Sequence, residues 1–171
     1  MADRTGMIAL HGNALTLTGT EIKVGDKAPN VTLTGNDLAP VELASFQGKV
    51  VILSTVPSLD TPTCDTETRT FNQKAAGLGA DIVILTASLD LPFAQKRWCG
   101  AAGVDKVTTL SDYREAALGK AFGVLIKELH LLARAIFVLD RRGVVQYIQL
   151  VPEVSQEPDY EAALATARKL L

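Results

Sequence analysis

The chain has 171 residues, enough for one domain that buries roughly 70% of its unfolded surface. Hydrophobic residues make up 47% and charged residues 21%, a globular composition that excludes intrinsic disorder. A net charge of −2 with no run of Lys or Arg argues against a nucleic-acid-binding surface, and no apolar run reaches the ~18 residues of a membrane span.

No apolar signal core follows Met1 to Gly6, so a cytoplasmic location is expected. Met7-Ile8-Ala9-Leu10 and Ala14-Leu15-Thr16-Leu17-Thr18 flank His11-Gly12-Asn13, which predicts a hairpin over the first 20 residues. After the loop from Val24 to Pro29, Val31-Thr32-Leu33 reads as a short strand, and Val41-Glu42-Leu43 as its local partner. Val50-Val51-Ile52-Leu53-Ser54-Thr55 is apolar, rich in β-branched residues and bounded by Gly48-Lys49 and Pro57, the pattern of a buried central strand. Beyond Pro57 and Pro62 the periodicity becomes helical. Phe71 and Ala75 lie seven and eleven positions after Cys64 and share its face. The helix should end near Ala76-Gly77.

Asp81 to Ala87 is a second continuous apolar strand, so strand, helix and strand predict a right-handed parallel crossover. Pro92 opens the next helix, expected to run to about Ala102 with Ala94, Trp98 and Ala101 on one face and Cys99 near its end. Val107 to Leu110 is a short strand, and Ser111-Asp112 should cap a helix over Tyr113 to Phe122. Val124 to Glu128 and Ala133 to Leu139 read as extended. The turn Asp140-Arg141-Arg142-Gly143 joins the latter to Val144 through Ile148 as an antiparallel hairpin. From Asp159, the spacing of Tyr160, Leu164, Ala167 and Leu171 marks a closing amphipathic helix.

Cys64 is the residue with chemical promise. It falls in the first turn of a helix that follows a central strand, where free N–H groups and the helix dipole favour an anion and hence the reactive thiolate. Thr61 puts a hydroxyl three residues before the sulfur, and Pro57 and Pro62 stiffen the loop. The bland alternative is an inert core cysteine, since free Cys is among the most buried residue types. Two cysteines cannot form a four-cysteine zinc site, and His11 and His130 stand too far apart in sequence for a zinc-finger pairing. Both histidines read as structural or solvated, and no metal or cofactor is called for.

Pro57-x-x-x-Thr61-x-x-Cys64 resembles the active-site signature of the peroxiredoxins, and Pro57-Ser58-Leu59-Asp60-Thr61-Pro62-Thr63-Cys64 looks like the bacterial thiol peroxidase branch, an atypical two-cysteine group. Leu91 through Gly100, Leu131 through Phe137 and Gln149-Leu150-Val151-Pro152-Glu153 extend the likeness over nearly the whole chain. The resemblance implies an α/β fold of the thioredoxin type, a single domain over residues 1–171 with residues 1–20 as an N-terminal β-hairpin extension. Two departures are visible: Trp98 stands where Phe is expected, and Ala14 replaces a frequent Pro.

The resemblance also implies roles. Cys64 is the peroxidatic nucleophile that reduces hydrogen peroxide or an organic hydroperoxide and becomes a sulfenic acid. Cys99, which on its own reads as a small core residue, becomes the resolving thiol of an intramolecular disulfide. Arg134 is a lone charge in an apolar strand, either an edge arginine with its head in water or, by resemblance, a donor beside the sulfur. Thr61 would donate to the reacting oxygens and Pro57 would shield the sulfur from water. Thioredoxin is the implied reductant and a homodimer the implied assembly, with no cofactor, nucleic acid or membrane partner.

Thirty-four residues separate the cysteines, which excludes a Cys-x-x-Cys site. A disulfide needs Cα atoms within about 7 Å, yet one cysteine begins a helix and the other ends one, so if the two helices lie on opposite sides of a strand pair, local unwinding is expected. Gly100 and Gly103 should lower its cost by about 1 kcal/mol each relative to alanine. Arg69 is expected to be structural. A rival reading, a peroxide-sensing redox relay without significant turnover, uses the same residues; a second, a thiol–disulfide exchanger acting on proteins, is opposed by the missing Cys-x-x-Cys.

Overall fold

A computed structural model describes residues 2–171. In chain order it comprises β1 (Arg4–Leu10), β2 (Asn13–Thr18), β3 (Thr32–Thr34), β4 (Pro40–Glu42), a 3-10 turn (Leu43–Phe46), β5 (Val50–Thr55), α1 (Pro62–Ala75), β6 (Ile82–Ser88) and α2 (Pro92–Ala102). There follow β7 (Thr108–Ser111), α3 (Ala117–Ala121), β8 (Leu125–Ile126), β9 (Leu131–Leu132), β10 (Ala135–Leu139), β11 (Val145–Leu150) and α4 (Tyr160–Lys169).

Seven strands form the main sheet in the order β11-β10-β5-β6-β7-β3-β4. β5 is buried along its whole length, which its unbroken apolar and β-branched run requires. It pairs in parallel with β6 from Val50↔Ile82 to Thr55↔Ala87, and antiparallel with β10 from Ala135↔Thr55 to Leu139↔Val51. The parallel crossover and the closing hairpin are both present as expected.

Alternation along the strands divides the interior in two. Ile52, Ile84 and Val138 face α1, α2 and α4, where Phe71, Trp98 and Leu164 meet them. Val51, Leu53, Leu85 and Phe137 face the other way, onto Leu118 and Phe122 around α3 and onto Leu15 and Leu17 of the first hairpin. That hairpin joins β8 and β9 in a second sheet of order β1-β2-β8-β9. His11 and Gly12, at φ 50° and 80°, make its turn.

Three local expectations need correction. The helix expected over Tyr113 to Phe122 shrinks to α3, because Ala116 adopts φ 50° and breaks it on the N-terminal side. Asp112 still caps it, accepting from the amides of Leu118 (3.1 Å) and Gly119 (2.9 Å) across the intervening turn. On α2 the buried positions are Pro92, Gln95 and Trp98, while Ala101 is exposed. Finally, Gly103 at φ 67° is the left-handed cap of α2, bonded to the Cys99 carbonyl, so it ends the helix favourably and does not weaken it.

Candidate functional site

Pro62 opens α1 and has no N–H to give, and Thr61 at the N-cap makes no side-chain cap. The first-turn amides of Thr63 and Cys64 therefore remain available to an anion. Cys64 is fully buried on the α1 stripe that continues through Glu67, Thr68 and Phe71, the i, i+3, i+4, i+7 spacing of one helical face.

Arg134 lies under this turn, 1% exposed, just ahead of β10. Its Nη2 donates to Cys64 Sγ at 3.3 Å, its Nη1 to Glu67 Oε2 at 2.5 Å and its Nε to the Val154 carbonyl at 2.9 Å. Each edge of the guanidinium fork is committed, so its orientation toward the sulfur is fixed. Glu67, fully buried, also accepts from Ser54 Oγ of β5 at 2.7 Å. Burial lifts the Glu67 carboxyl above its ordinary range, against the pull of Arg134 and Ser54. Burial opposes the Arg134 charge too, but Glu67 and the sulfur beside it hold the guanidinium above its ordinary value.

A cleft of about 470 Å³ opens beside this group, lined by Pro57, Thr61 and Arg134 together with the apolar Leu10, Ile126 and Val154. Thr61 Oγ1 donates to the Ser58 carbonyl at 2.8 Å. A hydroxyl has one proton, so toward anything in the cleft Thr61 is an acceptor, the reverse of the donor expected from sequence. Four of the five residues singled out in the sequence, Pro57, Thr61, Cys64 and Arg134, thus converge.

Cys99 stands apart as a half-buried free thiol 3.4 Å from Thr109 Oγ1 of β7, whose own proton goes to Asn36 Oδ1 at 3.1 Å. α1 and α2 occupy the same sheet face, side by side. Arg69 is structural, as expected, bonding Asp65 at 2.8 Å and the Ala102 carbonyl at 3.2 Å. Glu67 escaped the sequence reading. Its signal was there: a carboxylate three residues after Cys64, on the stripe that Phe71 marks as buried.

Over residues 23–164 the chain matches the Redoxin family model. The chain belongs to the redoxin family. This redoxin is 52% identical to the thiol peroxidase of Halalkalibacterium halodurans, over 96% of this chain and 98% of that one. Identity to the thiol peroxidase of Bacillus subtilis is also 52%, with the same coverage. Among solved structures, a peroxiredoxin-like protein from Aquifex aeolicus is 42% identical and superposes with a TM-score of 0.91, covering 98% of this chain and 99% of that one. The thiol peroxidase from Chromobacterium violaceum shares the fold at a TM-score of 0.82 and 22% identity, with 95% of each chain covered. The redoxin is accordingly a peroxiredoxin enzyme with a thioredoxin-like fold carrying an N-terminal hairpin.

Proposed function

We propose that this redoxin, a thiol-dependent peroxidase, reduces hydroperoxides at Cys64 and is recycled through Cys99, the whole of residues 1–171 working as one domain. The observation that carries this is the buried Arg134 fork held on Cys64 Sγ at 3.3 Å. The thiolate attacks the terminal oxygen of ROOH, the O–O bond breaks, and the alkoxide leaves as an alcohol after taking a proton. Negative charge spreads over sulfur and both oxygens, so donors already aimed at that line matter most. Arg134 and the first-turn amides supply them. Thr61 accepts from the hydroperoxide O–H, which orients it, and buried Pro57 keeps bulk water off the sulfur.

Cys64 is left as a sulfenic acid. The Cys99 sulfur then attacks the Cys64 sulfur, the S–O bond breaks, and the hydroxyl leaves as water with the proton that Cys99 releases. Thioredoxin reduces the disulfide. The apolar wall of Leu10, Ile126 and Val154 favours organic hydroperoxides over hydrogen peroxide. Among the described residues no helix is long and apolar enough to cross a membrane. From the family resemblance we take the enzyme to be a cytoplasmic homodimer.

In stopped-flow assays with thioredoxin-linked recycling, Cys64→Ser should consume no peroxide. Cys99→Ser should consume about one equivalent and halt, since its sulfenic acid has no partner. Sustained turnover by Cys99→Ser would remove the resolving role. Peroxide consumption without sustained turnover in wild type would favour a redox relay.

A further inference from the structure

Trp98 and Asp65 each adjoin one of the two cysteines in sequence. The indole Nε1 of Trp98, the only tryptophan, donates to Asp65 Oδ1 at 2.9 Å. The other oxygen of Asp65 takes Arg69 Nε at 2.8 Å, and the Arg69 guanidinium carbon lies 5.7 Å from the centre of the Trp98 ring. A phenyl ring at position 98 would fill much the same space but could not make the indole bond.

The sulfurs are anchored away from each other. Cys64 Sγ is tied through Arg134 and Glu67 to Ser54 on β5, and Cys99 Sγ rests on Thr109 of β7, with β6 between. Two strand spacings put those anchors about 10 Å apart across the sheet. A disulfide requires Cβ atoms within about 4.5 Å, so Cys64 must leave Arg134 and Cys99 must leave Thr109, a movement of the first turn of α1 or the last turn of α2. The indole–carboxylate bond ties those two turns together.

We propose that the Trp98–Asp65 bond is a latch that must open before Cys99 reaches the Cys64 sulfenic acid, making Trp98 a positioning residue that sets the rate of resolution. It thereby sets the choice between two fates of the sulfenic acid. In one, Cys99 attacks, a disulfide forms and water leaves. In the other, a second hydroperoxide transfers an oxygen, giving the sulfinic acid and an alcohol. A latch that slows the first channel leaves more time for the second.

This rests on Cys99 being the resolving thiol, which Cys99→Ser turnover tests separately. Trp98→Phe removes the N–H and keeps an aromatic ring in place. After one equivalent of peroxide, disulfide formation in Trp98→Phe should be about tenfold faster than in wild type, the scale of one lost charge-assisted hydrogen bond. The peroxide step itself should be unchanged. At excess peroxide, the sulfinic fraction seen by mass spectrometry should fall in proportion. Asp65→Ala should also accelerate resolution, and adding Trp98→Phe to it should give no further gain, because both remove one bond. Equal or slower resolution in Trp98→Phe, or additive effects in the double variant, would overturn the latch. Wild type that forms no intramolecular disulfide would instead remove the reading beneath it.

Discussion

At the scale of single residues, the site rests on one buried arginine and the carboxylate behind it. Arg134 touches the sulfur, whereas Glu67 acts through Arg134, and their substitutions should separate accordingly. Arg134→Ala should slow the peroxide step about 100-fold, the usual cost of losing one preorganised donor. Glu67→Gln should slow it about tenfold by loosening the fork. It should cost about 3 kcal/mol of stability in urea unfolding at neutral pH, because it leaves the buried Arg134 guanidinium without its counter-charge. With its carboxyl lifted above 4.5, Glu67 contributes stability that is full below 4.5 and lost as pH rises through the lifted value. The peroxide rate should run the other way. As pH falls through that value, protonated Glu67 releases Arg134 and the rate drops; Glu67→Gln should lack this acid limb. An unaltered pH–rate profile in Glu67→Gln would deny Glu67 its part. Sequence placed Arg134 as an anomaly because a charge in an apolar strand is conspicuous. A carboxylate in a helix is not, and only its position on the buried stripe betrays Glu67.

At the scale of elements, the first hairpin is tied to the site by one half-buried carboxylate, that of Glu153. Glu153 accepts from the amides of His11 (2.9 Å) and Gly12 (3.3 Å) and from Ser155 Oγ (2.8 Å). Its neighbour Val154 holds Arg134, and Ser155 accepts from Thr63 Oγ1 of α1 at 2.9 Å. The His11 amide and Ser155 hold the Glu153 carboxyl down to about 2. A depressed carboxyl contributes stability above its ordinary 4.5 and loses it as pH falls through about 2. Amide exchange at His11 and Gly12 should therefore stay protected down to pH 3 or so in wild type. In Glu153→Ala it should be fast already at neutral pH. Equal protection in the two proteins would show that the backbone pairing of Ala9 with Pro152 and Val154 suffices. The hairpin was legible because His11-Gly12 permits the left-handed turn it needs. The α3 region was not. Ser111-Asp112 is a sound capping pair, but Ala116 takes a positive φ that alanine rarely adopts, a tertiary demand with no local sign.

At the scale of the whole molecule, the sheet separates a face that must move from one that need not. Both cysteines belong to the α1/α2/α4 face, while the opposite face is closed by the first hairpin and α3. Strand identity was readable from apolar runs, but the sharing of one face by α1 and α2 follows from crossover handedness and strand order, which only the assembled sheet displays. That shared face has a consequence for the redox cycle. Bringing Cys99 from Thr109 to Cys64 breaks contacts around Trp98 and the first turn of α1, yet leaves Leu53, Phe137 and Leu118 on the far side untouched. Exposed Gly100, within α2, lowers the cost of unwinding there by about 1 kcal/mol relative to alanine. Gly103 adds nothing to that, being a favourable cap. Hydrogen exchange of the oxidised protein should accordingly be faster than that of the dithiol over residues 64–76 and 98–103, by a factor of about ten or more at the turn that unwinds. Exchange in β5, β10 and the first hairpin should be the same in both forms. Identical protection throughout would mean the disulfide forms without unwinding, and a change spread equally over both faces would mean that the sheet does not insulate them.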